Sequence, residues 1–153
     1  MLTSPASLAA PDPGQLLSVT ALPAARPGRV VVEVTGEVDD YTAPVLDLCL
    51  QSQASRPGVR EIVADLRRVT FLGSAGVTAL ARAERRCRTR GARLRIATGG
   101  RRDVLRVLRL SGLAGVVTVD PHAVEQEETA GDRAALRFPP RTSSRRRVRP
   151  VCR

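Results

Sequence analysis

The sequence predicts a single α/β domain on a mostly parallel, mixed sheet of about five strands, and three observations carry that expectation. Runs rich in β-branched residues alternate along the chain with segments of helical periodicity. The first two such runs follow one another across a short Pro/Gly turn, so the sheet opens on an antiparallel pair. With 153 residues and 42% hydrophobic content, the chain can bury one core. The order reads β-β-α-β-α-β-α-β, and such alternation implies right-handed crossovers between neighbouring parallel strands.

Residues 1–14, MLTSPASLAAPDPG, read as a flexible leader. They lack a basic start and a sustained apolar stretch, so no signal peptide is expected. Residues 15–22, QLLSVTAL, form the first strand, and PAARPG at 23–28 turns the chain. Residues 29–35, RVVVEVT, are the clearest strand, closed by Gly36. Residues 41–54 suit a helix with Thr42 as N-cap, Pro44 in the first turn and Val45, Leu46, Cys49 and Leu50 as its apolar stripe. Arg56-Pro57-Gly58 ends it. Residues 59–66, VREIVADL, make a third strand, with 67–73 leading to a turn.

Residues 74–90 are a second helix, with Gly76, Val77, Leu80, Ala83 and Cys87 inward. Arg85, Arg86, Arg88 and Arg90 in its last turns complement the helix dipole, and Gly91 stops it. A fourth strand at 92–98 alternates Arg with Leu94 and Ile96. A short helix at 101–110 turns Val104, Leu105 and Leu108 inward, and 115–119 closes the sheet. Residues 15–131 are the folded domain in this reading, and 132–153 an Arg-rich, disordered tail.

Charge and composition exclude several functions. The net charge is +10, and all 25 basic residues are Arg. Eight of them stand in 132–153 against Asp132 alone, so that segment holds +7 and residues 1–131 only +3. A DNA-binding domain would carry its charge on a folded face. The aromatics are Tyr41, Phe71 and Phe138, too few for base stacking. Cys49, Cys87 and Cys152 fit neither a disulfide framework nor a metal spacing, which suits a reducing cytoplasm. No run approaches the ~18 apolar residues of a membrane span. His122 is the sole histidine, and no nucleophile stands in a recognisable motif with a base, so no enzyme, metal or cofactor is expected.

Chemistry concentrates at Asp65-Leu-Arg-Arg-Val-Thr-Phe-Leu-Gly-Ser-Ala-Gly76. Small residues at 73–76 let the backbone turn tightly and approach a partner. Ser74 falls where the helix begins and reads two ways. Its hydroxyl can cap the first free amides. Alternatively, it can carry a phosphate, tolerated at the positive end of the helix dipole while changing the local charge by about −1.5 to −2.

Three separated segments resemble a STAS domain of the anti-sigma factor antagonist type. Gly36-Glu37-Val38-Asp39, followed by Thr42-Ala43-Pro44, is similar to that family's opening of its first helix. Asp65-Leu-x-x-Val-x-Phe-Leu-x-Ser74-x-Gly76 resembles its phosphorylation motif. Gly91-Ala-Arg-Leu94 with Val107-Leu-Arg-Leu-Ser-Gly-Leu113 resembles its final strand and helix. The resemblance spans about 15–120, in matching order and spacing. It implies a non-enzymatic bacterial protein that binds an anti-sigma factor, often a serine kinase, and so frees a sigma factor for transcription. The kinase phosphorylates one serine, which maps onto Ser74, and a phosphatase restores it. Asp39 maps onto an acidic residue near that serine. Asp39, Thr42, Gly73, Ser74, Ala75 and Gly76 are the expected partner-binding residues. One departure stands out: the family carries Asp before the serine, where this chain has Gly73.

Other candidates carry less. Thr98-Gly-Gly-Arg-Arg102 before a helix can cradle a phosphate or be a simple turn. Asp39, Asp40 and Asp47 lack a His or Cys partner and read as solvated loop residues. Cys87 packs inward, Ser111 is a turn residue, His122 a surface residue, and Glu125, Glu127 and Glu128 a solvated face. Arg145-Arg146-Arg147 beside Ser143 and Ser144 can bind nucleic acid or an acidic partner, or be a plain basic extension. Two alternatives to the switch follow: a STAS scaffold or sensor subunit without phosphorylation, and a nucleic-acid-associated protein acting through its tail.

Overall fold

The computed structural model describes residues 16–121. Five strands form one sheet in the order β1-β2-β3-β4-β5. They span Leu17–Pro23, Arg29–Val38, Glu61–Leu72, Arg93–Ala97 and Thr118–Asp120. β1 pairs antiparallel with β2, and the remaining three pairings are parallel. Three helices lie between them: α1 at Ala43–Ser55, α2 at Ser74–Thr89 and α3 at Arg102–Leu110. The element order and the hairpin-then-parallel arrangement agree with the sequence.

Alternation along the strands builds two unequal layers. Val32, Val34, Ile62, Ala64, Leu94 and Ile96 point to the large core. There they meet Leu46, Cys49 and Leu50 of α1, Leu80, Ala83 and Cys87 of α2, and Val104 and Leu108 of α3. Val31, Val63 and Ala97 point the other way and form a small cluster. Around it run charged side chains: Glu61 pairs with Arg29 and Arg95, and Arg95 also pairs with Asp120.

Three boundaries differ from expectation. Gly36 does not close β2, which continues to Val38. At Gly36 φ is +112°, and a Cβ there would strike the backbone carbonyl of Leu16, so only glycine fits where β1 crosses so closely. β3 does not end at Leu66 but runs to Leu72. Its partners shift from Glu33↔Asp65 to Thr35↔Arg68 and from Gly36↔Val69 to Glu37↔Phe71, so β3 carries two residues more than β2 over this stretch. Such bulges break the two-residue alternation, and inward residues fall instead at Leu66, Val69 and Leu72. Finally, Leu113–Gly115 is a 3₁₀ turn, leaving β5 only Thr118–Asp120. The long β2 and β3 matter for function: their far ends deliver two strand-to-helix junctions to the same edge of the molecule.

Candidate functional site

The first junction, between β2 and α1, is held by side chains. The Asp39 carboxylate accepts hydrogen bonds from the Tyr41 N–H at 3.0 Å and the Thr42 N–H at 2.9 Å. The Thr42 hydroxyl accepts from the Asp39 N–H at 3.0 Å. Its single proton has two acceptors in reach, Glu37 O at 2.7 Å and Asp39 Oδ1 at 2.9 Å. These bonds favour the ionised acid, so the Asp39 carboxyl sits below the usual range; the Thr42 N–H contributes most and its hydroxyl next. Thr42 occupies the N-cap position, as expected, yet its side chain caps nothing in α1. Fully buried, it bonds backwards into the turn. Pro44 sits in the first turn of α1.

The second junction, between β3 and α2, contains only small side chains. The Gly73 N–H donates to Val38 O at 2.8 Å, which ties the two junctions together. Gly73 is the N-cap residue, with ordinary negative φ, and no side chain caps α2. The capping reading of Ser74 therefore fails: Ser74 is the first helical residue, and its side chain is exposed. Only its carbonyl is engaged, by the Thr78 hydroxyl at 2.9 Å. Gly76 is buried against the end of β2. A Cβ there would lie 2.6 Å from Val38 Cγ1 and 2.7 Å from Leu72 Cδ1, closer than atoms approach. Ala75 is half-buried against the core. Of the residues expected at a contact surface, Gly73, Ser74 and Ala75 thus reach the surface at least partly, whereas Thr42 and Gly76 lie beneath it and shape it.

Ser74 stands on a ridge between two grooves. On the α1 side, Asp40, Pro44 and Asp47 face Ser74, Thr78 and Arg82 across a groove of ≈ 420 Å³. On the α3 side, Leu72, Val77, Val107 and Leu110 line one of ≈ 540 Å³, again with Ser74 and Thr78. One flank is polar and the other apolar, with Leu110 77% exposed and nearby Phe71 52% exposed. Sequence reasoning missed this second flank. The signal was Leu110, an apolar residue off the inward stripe of α3. It also missed the α1–α2 clamp, in which Asp47 receives Arg86 at 2.8 Å and Arg82 at 3.5 Å.

The remaining candidates resolve as follows. Asp39, Asp40 and Asp47 do not converge: Asp39 is bound into its own turn and Asp47 into the clamp. Gly99 and Gly100 have φ of +59° and +74°, and the Arg101 N–H returns to Thr98 O, which is a turn. Arg101 pairs with Asp103 and holds that carboxyl below its usual range. Ser111 donates to Leu108 O at the end of α3. Cys87 is fully buried, and burial, with the charge of Glu84 second, pushes its thiol up to about 11. No helix among the described residues is long and apolar enough to cross a membrane. The leader, His122, the acidic run at 125–128 and the Arg-rich tail lie outside the described residues.

Comparison with known proteins gives the same architecture. A STAS domain family model matches residues 22–126. The crystal structure of an anti-sigma factor antagonist from Mycobacterium paratuberculosis is 26% identical, with a TM-score of 0.63 over 74% of this chain and 92% of that one. The anti-sigma factor antagonist SpoIIAA in its unphosphorylated form shares this fold at 19% identity, with a TM-score of 0.56 over 76% of this chain and 97% of that one. The Bacillus cell fate determinant SpoIIAA in the phosphorylated form does so at 20% identity and a TM-score of 0.56, over 76% and 99%.

Proposed function

The chain belongs to the STAS domain family, and from that premise we propose that it is a cytoplasmic anti-sigma factor antagonist. It binds an anti-sigma factor of the serine-kinase type by surface contact, without catalysis of its own, and thereby releases a sigma factor. Phosphorylation of Ser74 ends the contact, and a phosphatase restores it. The single observation that carries the reading is the exposed Ser74 hydroxyl at the start of α2, raised on a ridge of small residues between two grooves. Likeness to a mycobacterial anti-sigma factor antagonist supports the partner class.

The switching chemistry is local. A phosphate on Ser74 places two negative charges and three acceptor oxygens where the partner must desolvate the surface. Asp40 lines the adjoining groove and adds repulsion against the same dianion. A neutral hydroxyl has neither effect. The test is incubation of the full chain with the purified kinase-type anti-sigma factors of the same genome and ATP, followed by mass mapping of the phosphate. Phosphate on Ser74 with loss of the complex is the expected result. Modification elsewhere, with Ser74 untouched in an active mixture, overturns the site. A stable complex without any phosphorylation favours the scaffold reading, to which Gly73 in place of the family's Asp lends the one specific support.

A further inference from the structure

The outward face of α2 is basic along the length that runs away from Ser74. Arg82 is 59% exposed, and Arg85 and Arg88 are exposed as well. The carboxylate that serves this face is Asp47, and it is already shared between Arg82 and Arg86. Arg85 and Arg88 have no carboxylate partner among the described residues. A groove of ≈ 380 Å³ lies on this face, lined by Arg82, Arg85, Arg86 and Thr89. Arg82 also lines the polar groove beside Ser74, so the basic face and the serine ridge form one continuous surface.

We propose that α2 is an electrostatic docking rail for an acidic protein surface, with Arg82 and Arg85 as its principal contacts. This deepens the antagonist reading: the face of the anti-sigma factor that meets α2 carries Asp and Glu. Two features favour an acidic protein over nucleic acid. Asp40 interrupts the basic surface at the polar groove; the evenly spaced phosphates of a nucleic acid would meet it, whereas a protein surface can set its carboxylates opposite the arginines alone. The surface also lacks a stacking platform, since the exposed aromatics Tyr41 and Phe71 do not line either groove. The rail also lies within reach of a charge on Ser74 at low salt. Ser74 and Arg82 are eight residues apart, about 12 Å along the helix, close to the ~10 Å Debye length at 0.1 M salt. A phosphate on Ser74 is therefore felt by carboxylates docked at Arg82 at low salt, where the Debye length is ~30 Å at 0.01 M, and is largely screened from them at 0.1 M and above.

The test uses the full-length ¹⁵N-labelled chain, titrated at low salt with a ten-residue all-glutamate peptide and, separately, with a twelve-base-pair DNA duplex. The peptide is expected to shift the signals of Arg82, Arg85 and their neighbours on α2. Arg82→Glu/Arg85→Glu weakens this site about tenfold, and raising the salt does the same. Ser74→Glu weakens it about threefold. Arg102→Glu/Arg106→Glu, a charge reversal on the exposed face of α3, leaves it unchanged. Shifts spread equally over α3, or confined to the arginines beyond residue 132, overturn the proposal. Tighter binding of the duplex to the same α2 residues overturns it in favour of nucleic acid. None of these arms contains an anti-sigma factor, so failure here leaves the antagonist reading standing, and failure of the kinase experiment leaves the rail standing.

Discussion

The two strand-to-helix junctions lie side by side and solve the same geometric problem in opposite ways. Between β2 and α1, Asp39 and Thr42 fill the turn with side-chain hydrogen bonds. Between β3 and α2, no side chain caps the helix; Gly73 and Gly76 let backbone and core approach, and the Ser74 side chain is left exposed at the surface. The first junction is a pin whose polar groups are spent internally. The second is held by packing and by one backbone bond to the first, from the Gly73 N–H to Val38 O. The proposed modification and partner contact would need a group that the fold leaves unspent, and the Ser74 side chain is exposed. Of the two junctions, the second is the one that meets that need.

Substitutions can break that contrast. The largest effect is expected at Gly76→Val. Its methyls would overlap buried Val38 and Leu72, and overpacking of this kind costs about 3 kcal/mol. Urea unfolding should show the loss, while a neighbouring surface change such as Thr78→Ala leaves the midpoint almost unmoved. Next, Thr42→Val keeps the shape but deprives the Asp39 N–H of its acceptor and Glu37 O of a donor, in a buried turn. About 2 kcal/mol should be lost by the same measurement. If Thr42→Val proves neutral, the first junction is not the pin described.

Ser74 should behave oppositely, changing binding but not stability. Ser74→Ala is expected to keep affinity for the anti-sigma factor and Ser74→Glu to lower it about tenfold, or ~1.4 kcal/mol, with unfolding midpoints within error of the parent. Equal affinity of both variants in calorimetry would sink the switch.

The pH dependence isolates Asp39. Its folded pKa is lowered by the bonds from Thr42, so its contribution is complete above the unfolded value of about 3.9 and lost as pH falls through the lower folded value. Asp39→Asn should therefore be less stable than the parent at pH 6, with the gap narrowing as pH falls below about 4. Parallel curves across that range would remove Asp39 from the pin.

The smallest effect is expected at Gly73→Asp. Backbone φ is already permissive, and the added Cβ meets the exposed Phe71 ring at 3.2 Å, which can yield. An N-cap Gly→Asp change shifts stability by only a few tenths of a kcal/mol. Its value lies in the kinase assay, where a faster reaction at Ser74 would assign the missing carboxylate to kinase recognition.

Elements with one strong local signal were legible directly. RVVVEVT reads as a strand because β-branched residues stand in sequence, and α1 and α2 because apolar residues recur at helical spacing. The far halves of β2 and β3 were not, because two bulges replace the alternation that marks a strand. The Ser74 ridge was legible as a motif, through small residues at a strand–helix turn. Its grooves were not, since they arise where α2 meets α1 and α3, helices distant in sequence.

By itself, then, the sequence determined the order of elements, the serine at the head of α2 and the separation of a near-neutral body from an Arg-rich tail, because each depends on residues adjacent in the chain. Tertiary structure decided what those residues do. Pairing of β2 with β3 brought the two junctions together. Asp39 and Thr42 were consumed in the first, which left the second open. The arginines of α2, which by sequence merely complemented a helix dipole, became a surface continuous with Ser74 once α1 offered them the one carboxylate of Asp47. Exposure and hydrogen-bond satisfaction are properties of neighbours in space, and only the fold supplies those.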